Sequence, residues 1–301
     1  MDIDLVYTWV DGSDPDFHRA REQYIDPTTP GADLRLRRWR SHGELRYSLR
    51  SIARFAPWIR TIHIVTNGQR PAWLNLAHPR IRHVTHRQIY RWQEHLPTFN
   101  STSIESHLHR IPGLSENFIY ANDDMFLGAP VEPADFFSSL GFIQVHFGNE
   151  LTERVLNHLR ASDPTYSGML NALQLLRREY PTGMFFWLDH QIKPYSISLY
   201  KLAEAKWPAA FQTTSANRFR CDSDVAMTYT LLHNLVIQAR MGLVHQKSDV
   251  AVRLGRREDY QKVIDESPKF FCVNDEGGGP DGLESFLSAL FPEPSEFENA
   301  P

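Results

Sequence analysis

Apolar and polar positions follow two different periods along the first half of the chain. Residues Ile3 to Val10 are rich in β-branched and aromatic types until Asp11-Gly12 breaks the run, which predicts a strand entering a turn. From Gly43 to Phe55, Leu45, Leu49 and Ile52 fall on one helical face. Thr61 to Thr66 is a short apolar strand closed by Asn67-Gly68, and Ile81 to Val84 is a weaker one. Ile104, Leu108 and Ile111 predict a helix stopped by Pro112-Gly113, with Ser103 as its candidate cap. Asn117 to Ala121 predicts a strand that runs into Asn122-Asp123-Asp124. Strands alternating with helices predict an α/β fold with a mainly parallel sheet.

The second half is less regular. Met169, Ala172, Leu173 and Leu176 mark one amphipathic helix, and Val225, Tyr229, Leu232 and Val236 a longer one capped by Asp222 or Ser223. A polar stretch follows Gly242, then a short strand from Lys269 to Val273, a loop from Asp275 to Gly282 and a last helix from Phe286 to Phe291. This pattern predicts a nucleotide-binding core over 1–130, followed over 131–301 by helical insertions and C-terminal segments that complete one composite site.

Composition narrows the function classes. The chain has 301 residues, 42% hydrophobic and 23% charged, which is ordinary for a globular protein. A formal charge of -4 and a pI near 6.4 give no basic excess, so no nucleic-acid partner is expected. Two cysteines, Cys221 and Cys272, make neither a disulfide framework nor a cysteine-rich zinc cage. The N-terminus lacks a basic signal region, and no apolar run approaches the roughly 18 residues of a membrane span. The expected address is the cytoplasm, with room for peripheral association at the inner membrane face and for an oligomer.

Candidate chemistry concentrates at predicted strand ends. In FIYANDDMF an apolar strand delivers Asp123 and Asp124, where open α/β sheets gather ligands. Two carboxylates there can hold a hard divalent cation on a pyrophosphate, or form a plain solvated turn. Glu105 is either a site carboxylate or a residue complementing a helix dipole. His107 and His109 alternate faces, which disfavours a shared ion. Arg46, Arg50 and Arg54 recur every four residues; Arg46 and Arg50 either reach an anion or form a solvated face, while Arg54 reads as a solvated position. Trp9, Asp11 and Gly12 in VYTWVDGSD, and Asn67 and Gly68 in IVTNGQ, are candidate substrate contacts at two further strand ends, as is Asn122 at the third. His190 in LDHQIKPY and Arg220 in NRFRCDSD supply cationic or proton-accepting groups from the far half, and Asp224 reads as dipole compensation.

These motifs together resemble the Stealth family of hexose-1-phosphoryltransferases. Four blocks carry the resemblance in order. The first is DLVYTWVDGSDP from Asp4. The second runs from RSHGELRYSLRSI through APWIRTIHIVTNGQRPAWLN to LPTFNSTSIESHLHRIPGLSENFIYANDDMF. The third is LDHQIKPY with FQTTSANRFRCDSD. The fourth is KFFCVNDE with the tail FPEPSEFE. The resemblance implies a core similar to the GT-A type, a nucleotide-sugar donor that is usually UDP-linked, and Mg2+ or Mn2+. It implies transfer of a hexose-1-phosphate, N-acetylglucosamine-1-phosphate or a related one, to a glycan hydroxyl, with UMP leaving, in bacterial capsule or exopolysaccharide synthesis. The family's acidic cluster maps onto Glu105, Asp123 and Asp124, its His and Arg onto His190 and Arg220, and its Asn-Asp onto Asn274 and Asp275. In that scheme Asp123 and Asp124 bind the metal, Asp124 and Arg220 are catalytic, and His190 or Glu105 is the general base. Gly43 departs from the acidic residue common in the family. The animal enzyme's long insertions are missing, so protein acceptors are not expected. The alternative is a glycosyltransferase of the same fold that moves the sugar itself and releases UDP.

Overall fold

The structure is a computed structural model and describes residues 1–25, 33–39, 41–188, 190–246, 252–254, 257–273 and 282–299. Its strands are β1 (Ile3–Thr8), β2 (Ile62–Thr66), β3 (Ile81–Thr85), β4 (Asn117–Asn122), β5 (Met125–Leu127), β6 (Ile143–Phe147), β7 (Lys193–Ser196), β8 (Gly242–Gln246), β9 (Val252–Leu254) and β10 (Phe270–Val273). The main sheet has the order β3-β2-β1-β4-β7. Its first four strands are parallel, and β7 from the second half closes the edge antiparallel to β4. The chain is therefore α/β with a mainly parallel sheet. Ile3, Leu5, Val6 and Tyr7 are all buried, as expected for a strand covered on both faces.

Topology fixes where a site can form. The chain moves outward from β1 through β2 to β3, then returns to pair β4 on the other side of β1. In open α/β sheets such a reversal marks the crevice where ligands gather, here beyond the carboxyl ends of β1 and β4. The register places Thr8 opposite both Val65 and Asn122, so these ends lie at one edge. At the other end of β1, Asp4 is fully buried and gripped by Arg60 at 2.8 and 2.6 Å, with the Ser115 N–H at 2.8 Å. Burial alone would raise this carboxyl; Arg60, His63 and the Ser115 amide hold it well below the usual carboxylate range.

The helix Glu44–Phe55 covers the sheet with Leu45, Leu49 and Ile52, as its spacing predicts. Its buried Ser48 donates to the Met125 carbonyl at 2.5 Å, and Ser51 accepts from the Leu127 N–H at 3.1 Å. Two small hydroxyls thus tie the helix to β5 without leaving polar groups unpaired. Gly43 precedes the helix at φ +84, a left-handed conformation that favours glycine over the acidic residue expected there. A second sheet, β5-β10-β9, packs Phe126 and Phe271 in a stack against Phe286 and Phe291 of the C-terminal segment.

Several expectations are corrected. The helix expected around Ile104 is two short pieces, Ser101–Glu105 and Leu108–Arg110, capped by Asn100 rather than Ser103. Ser103 and Ser106 bond to the Ser215 and Ser103 carbonyls, competing with a continuous helix. The helix expected from Asp222 begins later, as a π-turn over Met227–Leu231 followed by Leu232–Gln238. The stretch after Gly242 forms β8 and β9, and the last helix starts at Leu283. The expected loop from Asp275 lies outside the described residues up to Gly282.

Arg46 and Arg50 do grip an anion, but it is Glu298 of the C-terminal tail, at 2.5 and 2.7 Å. Arg50 adds bonds to the Phe291 and Pro292 carbonyls, so its guanidinium is consumed by this clamp. Arg54 bonds the Leu290 carbonyl at 3.2 Å. The Glu298 side chain is 1% exposed. Burial alone would raise its carboxyl; Arg50, the Ser295 amide and Arg46 instead pull it down to about 2. Arg50→Ala should leave this carboxylate under-paired and cost about 3 kcal/mol in denaturant unfolding. Because the folded pKa is depressed, the stabilisation is present above the ordinary glutamate range and fades as pH falls from about 4.5 toward 2. Unfolding midpoints of wild type and Arg50→Ala should therefore converge in acid; a constant gap would contradict the clamp.

Candidate active site

The carboxyl end of β4 delivers Asn122, Asp123 and Asp124 into the crevice, and the adjacent carboxylates engage different neighbours. Asp123 interacts electrostatically with Tyr7 and Glu44. Asp124 meets His190, whose Nε2 lies 3.6 Å from Asp124 Oδ2. Among the described residues, the ligand-type atoms of Asp124, His190 and Cys272 converge within 4.8 Å of one another, and Asp123 is not part of that group. Glu44 acts electrostatically on both carboxylates, so the expected Asp123–Asp124 pair keeps a shared acidic neighbour.

Glu44 is the residue that sequence reasoning passed over. It opens the helix Glu44–Phe55, is buried, and accepts from the His42 N–H at 2.6 Å. Burial raises its carboxyl, the Asp124 charge raises it further, and His42 offsets part. Burial, then the charges of Glu44 and Asp124, pushes the Asp123 carboxyl well above its ordinary value. The signal was available in HGELRY, an acidic first turn directly before a predicted strand-facing helix, but dipole compensation explains such a residue equally well.

This crowding bears on whether the site fits a hard cation. The Glu44 and Asp124 charges raise the Asp123 carboxyl, and Asp124 Oδ1 is buried with no hydrogen-bond partner among the described residues. A divalent ion relieves both conditions, so the residues fit Mg2+ or Mn2+.

Beneath the carboxylates lies a polar network. Glu105 is fully buried and accepts from Thr228 Oγ1 and, at 3.2 Å, from the Tyr120 hydroxyl. Burial raises its carboxyl, while Thr228, Arg220, Tyr120 and Lys193 offset part of that rise. The Tyr120 hydroxyl lies 2.7 Å from Asn122 Oδ1, and Asn122 Nδ2 donates to the Tyr229 hydroxyl at 3.0 Å. Tyr229 in turn stacks on His190, ring centroids 5.3 Å apart and 13° from parallel. The π-turn Met227–Leu231 supplies both Thr228 and Tyr229; such turns occur frequently at functional sites. Both amide ends of Asn122 are therefore engaged within the protein.

Arg220 donates to Thr165 Oγ1 at 2.9 Å and Ser101 Oγ at 2.5 Å. Its charge acts on Glu105, Asp224 and Tyr229, so it borders the network rather than touching the carboxylate pair. Asp224 is buried and accepts from Asn100, Asn217 and the Cys221 amide; burial raises it to about 6. It joins two loops instead of compensating a helix dipole. His107 bonds Ser215 at 2.8 Å and His109 bonds Glu204 at 3.3 Å.

The other strand-end candidates follow the carboxyl ends of β1 and β2. Trp9 is half-buried against the core, and its backbone N–H donates to the Val65 carbonyl at 3.0 Å. Asp11 Oδ1 accepts from the Ser13 amide and hydroxyl at 2.8 and 2.5 Å. A Cβ on Gly12 would lie 1.8 Å from the Trp39 carbonyl oxygen, so this glycine admits another stretch of backbone. Asn67 Oδ1 accepts from the Gln69 N–H at 3.1 Å, and Gly68 turns at φ +120. Gln69, a second residue the sequence reading missed, links this turn to Asp11 and Asp14 at 2.7–3.0 Å. Asn274 and Asp275 lie outside the described residues.

The fold and its crevice define an α/β protein with a carboxylate–histidine site at the switch point of a parallel sheet. The chain matches Stealth protein conserved region 1 over residues 1–26, conserved region 2 over 38–145 and conserved region 3 over 189–237. It belongs to the Stealth family. The fourth block suggested by KFFCVNDE lies beyond these matches. The chain is 39% identical to an exopolysaccharide phosphotransferase of Streptomyces coelicolor, over 98% of this chain and 52% of that protein. It is 35% identical to the exopolysaccharide phosphotransferase CpsY of Mycobacterium tuberculosis, over 99% and 58%. The chain thus spans about half the length of the curated relatives it matches. Solved structures with a distant likeness include galactosyltransferase LgtC in complex with donor and acceptor sugar analogues (TM-score 0.45, 10% identity, 97% of this chain and 98% of that one). Mouse xyloside xylosyltransferase 1 in its apo form is another (0.42, 12%, 91% and 98%). The α/β assignment stands on this chain's own strand order.

Crowded carboxylates predict an unusual stability effect. With divalent ions chelated, Asp123→Asn removes one of the mutually repelling charges and should raise Tm, by about 2–4 °C for each kcal/mol relieved. Thermal unfolding in chelator measures this, and a lower Tm than wild type would contradict the crowding.

Proposed function

We propose that this chain transfers a hexose-1-phosphate, N-acetylglucosamine-1-phosphate or a close relative, from a UDP-sugar to a glycan hydroxyl in capsule or exopolysaccharide synthesis. The observation that carries the reading is the 3.6 Å approach of His190, from conserved region 3, to Asp124, from conserved region 2. A proton acceptor and a cation-binding carboxylate thereby share one crevice. The relatives named exopolysaccharide phosphotransferases support the reaction class.

In this proposal the acceptor oxygen forms a bond to the donor's β-phosphorus. The bond from that phosphorus to the bridging oxygen breaks, and UMP leaves with the bridging oxygen. Asp124 and Asp123 would hold Mg2+ or Mn2+, which supplies neutralisation of the pyrophosphate. His190 takes the hydroxyl proton as the proposed general base. Tyr229 keeps the imidazole plane fixed by stacking, and Asn122 keeps Tyr229 in place. The full burial of Glu105 supports giving proton acceptance to His190 and a positioning role to Glu105. Arg220 faces the developing negative charge from the network side. Asp11, Gly12, Trp9, Asn67 and Gly68 form the rim that the nucleotide end meets.

Incubation with Mg2+ and a panel of nucleotide sugars should release a nucleoside monophosphate; release of the diphosphate instead would establish transfer of the sugar alone and overturn this reading. His190→Ala, Arg220→Ala and Asp124→Asn should each lower kcat by about 10²–10³ while far-UV circular dichroism stays native. Near-normal turnover in any of them removes that residue from the mechanism.

A further inference from the structure

Three side chains at the end of β4 offer donor atoms of three kinds. Asp124 presents a carboxylate oxygen, His190 an imidazole nitrogen and Cys272 a sulfur, all within 4.8 Å of one another. Cys272 arrives there by register: it stands opposite Met125, and the neighbouring Val273 N–H donates to the Asp124 carbonyl at 2.9 Å. Cys272 is fully buried, and Asp124 Oδ1 is a buried oxygen without a hydrogen-bond partner among the described residues. Two ligands about 2.1 Å from one ion at a tetrahedral angle lie about 3.4 Å apart. The 3.6 Å between His190 Nε2 and Asp124 Oδ2 is already close to that separation.

The donor set has a chemical preference. Mg2+ takes oxygens and keeps its waters, so sulfur adds little for it. Zn2+ and Co2+ accept sulfur, nitrogen and oxygen together. We infer that Asp124, His190 and Cys272 form a site for a borderline transition ion, Zn2+ or Co2+, that excludes the hard cation because Asp124 serves both. The inference rests on the transferase reading of this crevice, since such an ion would hold the nitrogen and carboxylate that transfer requires. The ion-bound chain is then an inactive form. Binding converts the Cys272 thiol to a thiolate and releases its proton to solvent.

Co2+ is the probe. Added to the metal-free chain without donor, it should give a near-ultraviolet thiolate-to-cobalt charge-transfer band that saturates at one ion per chain. Cys272→Ser should lose the band and Cys221→Ser should keep it. His190→Ala should weaken Co2+ binding at least by the roughly 10–100-fold that losing even an outer partner of a metal ligand costs. No band in the wild-type chain, or a band that survives Cys272→Ser, overturns the site. The wild-type spectrum and the His190 variant decide the matter if Cys272→Ser does not fold. Nucleotide release with Mg2+ is followed in parallel. Monophosphate release without the cobalt band removes the transition-ion site and leaves the transferase reading standing; the band without release does the reverse.

Discussion

Negative charge gathered at the end of a buried strand has few ways to be tolerated. Asp123 feels the charges of Glu44 and Asp124, and both Asp123 and Glu44 are pushed toward their neutral forms. Folding nevertheless brings these groups together from two stretches of chain, because β4 ends at the switch point and the helix Glu44–Phe55 starts above it. In the proposed function a divalent cation would resolve that conflict, and an anionic diphosphate would follow the cation. The strand order, the serine contacts to β5 and the burial of the helix all serve to hold this crowding in place.

The far half of the chain meets the carboxylates through an aromatic and polar layer. Tyr229 touches His190 on one side and Asn122 on the other, and Asn122 continues through Tyr120 to Glu105. Every hydroxyl and amide in this path has a defined partner, which matters because an unsatisfied polar group in such a place costs about 1–3 kcal/mol. Order at His190 is therefore inherited from β4 as much as from its own loop. Arg220 belongs to the same layer, anchored by Ser101 and Thr165 and acting at a distance.

Much of the fold was legible because burial leaves a direct trace in sequence. Runs such as Ile3 to Thr8 and Ile62 to Thr66 are apolar because both sheet faces are covered. Strand ends carrying Asp-Gly, Asn-Gly and Asn-Asp-Asp marked the crevice edge, and His190 was placed beside it. What escaped were features decided by long-range contact. The arginine stripe looked suited to substrate, yet its anion is Glu298, some 250 residues away in the chain. Strand β7 is four residues long and contains Pro194, tolerable only because it is an edge. Cys272 reads as a buried apolar residue in a short strand until β5 pairing sets it beside Asp124. The π-turn carries no residue signature, so spacing alone places Tyr229 on an ordinary helix and says nothing of Thr228.

The most direct test is to locate the ion. Crystals of the chain soaked with Mn2+ and a UDP-sugar should show an anomalous peak at the carboxyl end of β4, bonded to Asp124 and to the donor's pyrophosphate, with Asp123 and Glu44 lining the same side. A peak elsewhere, or a donor bound in another cleft with no ion beside Asp124, would contradict the account.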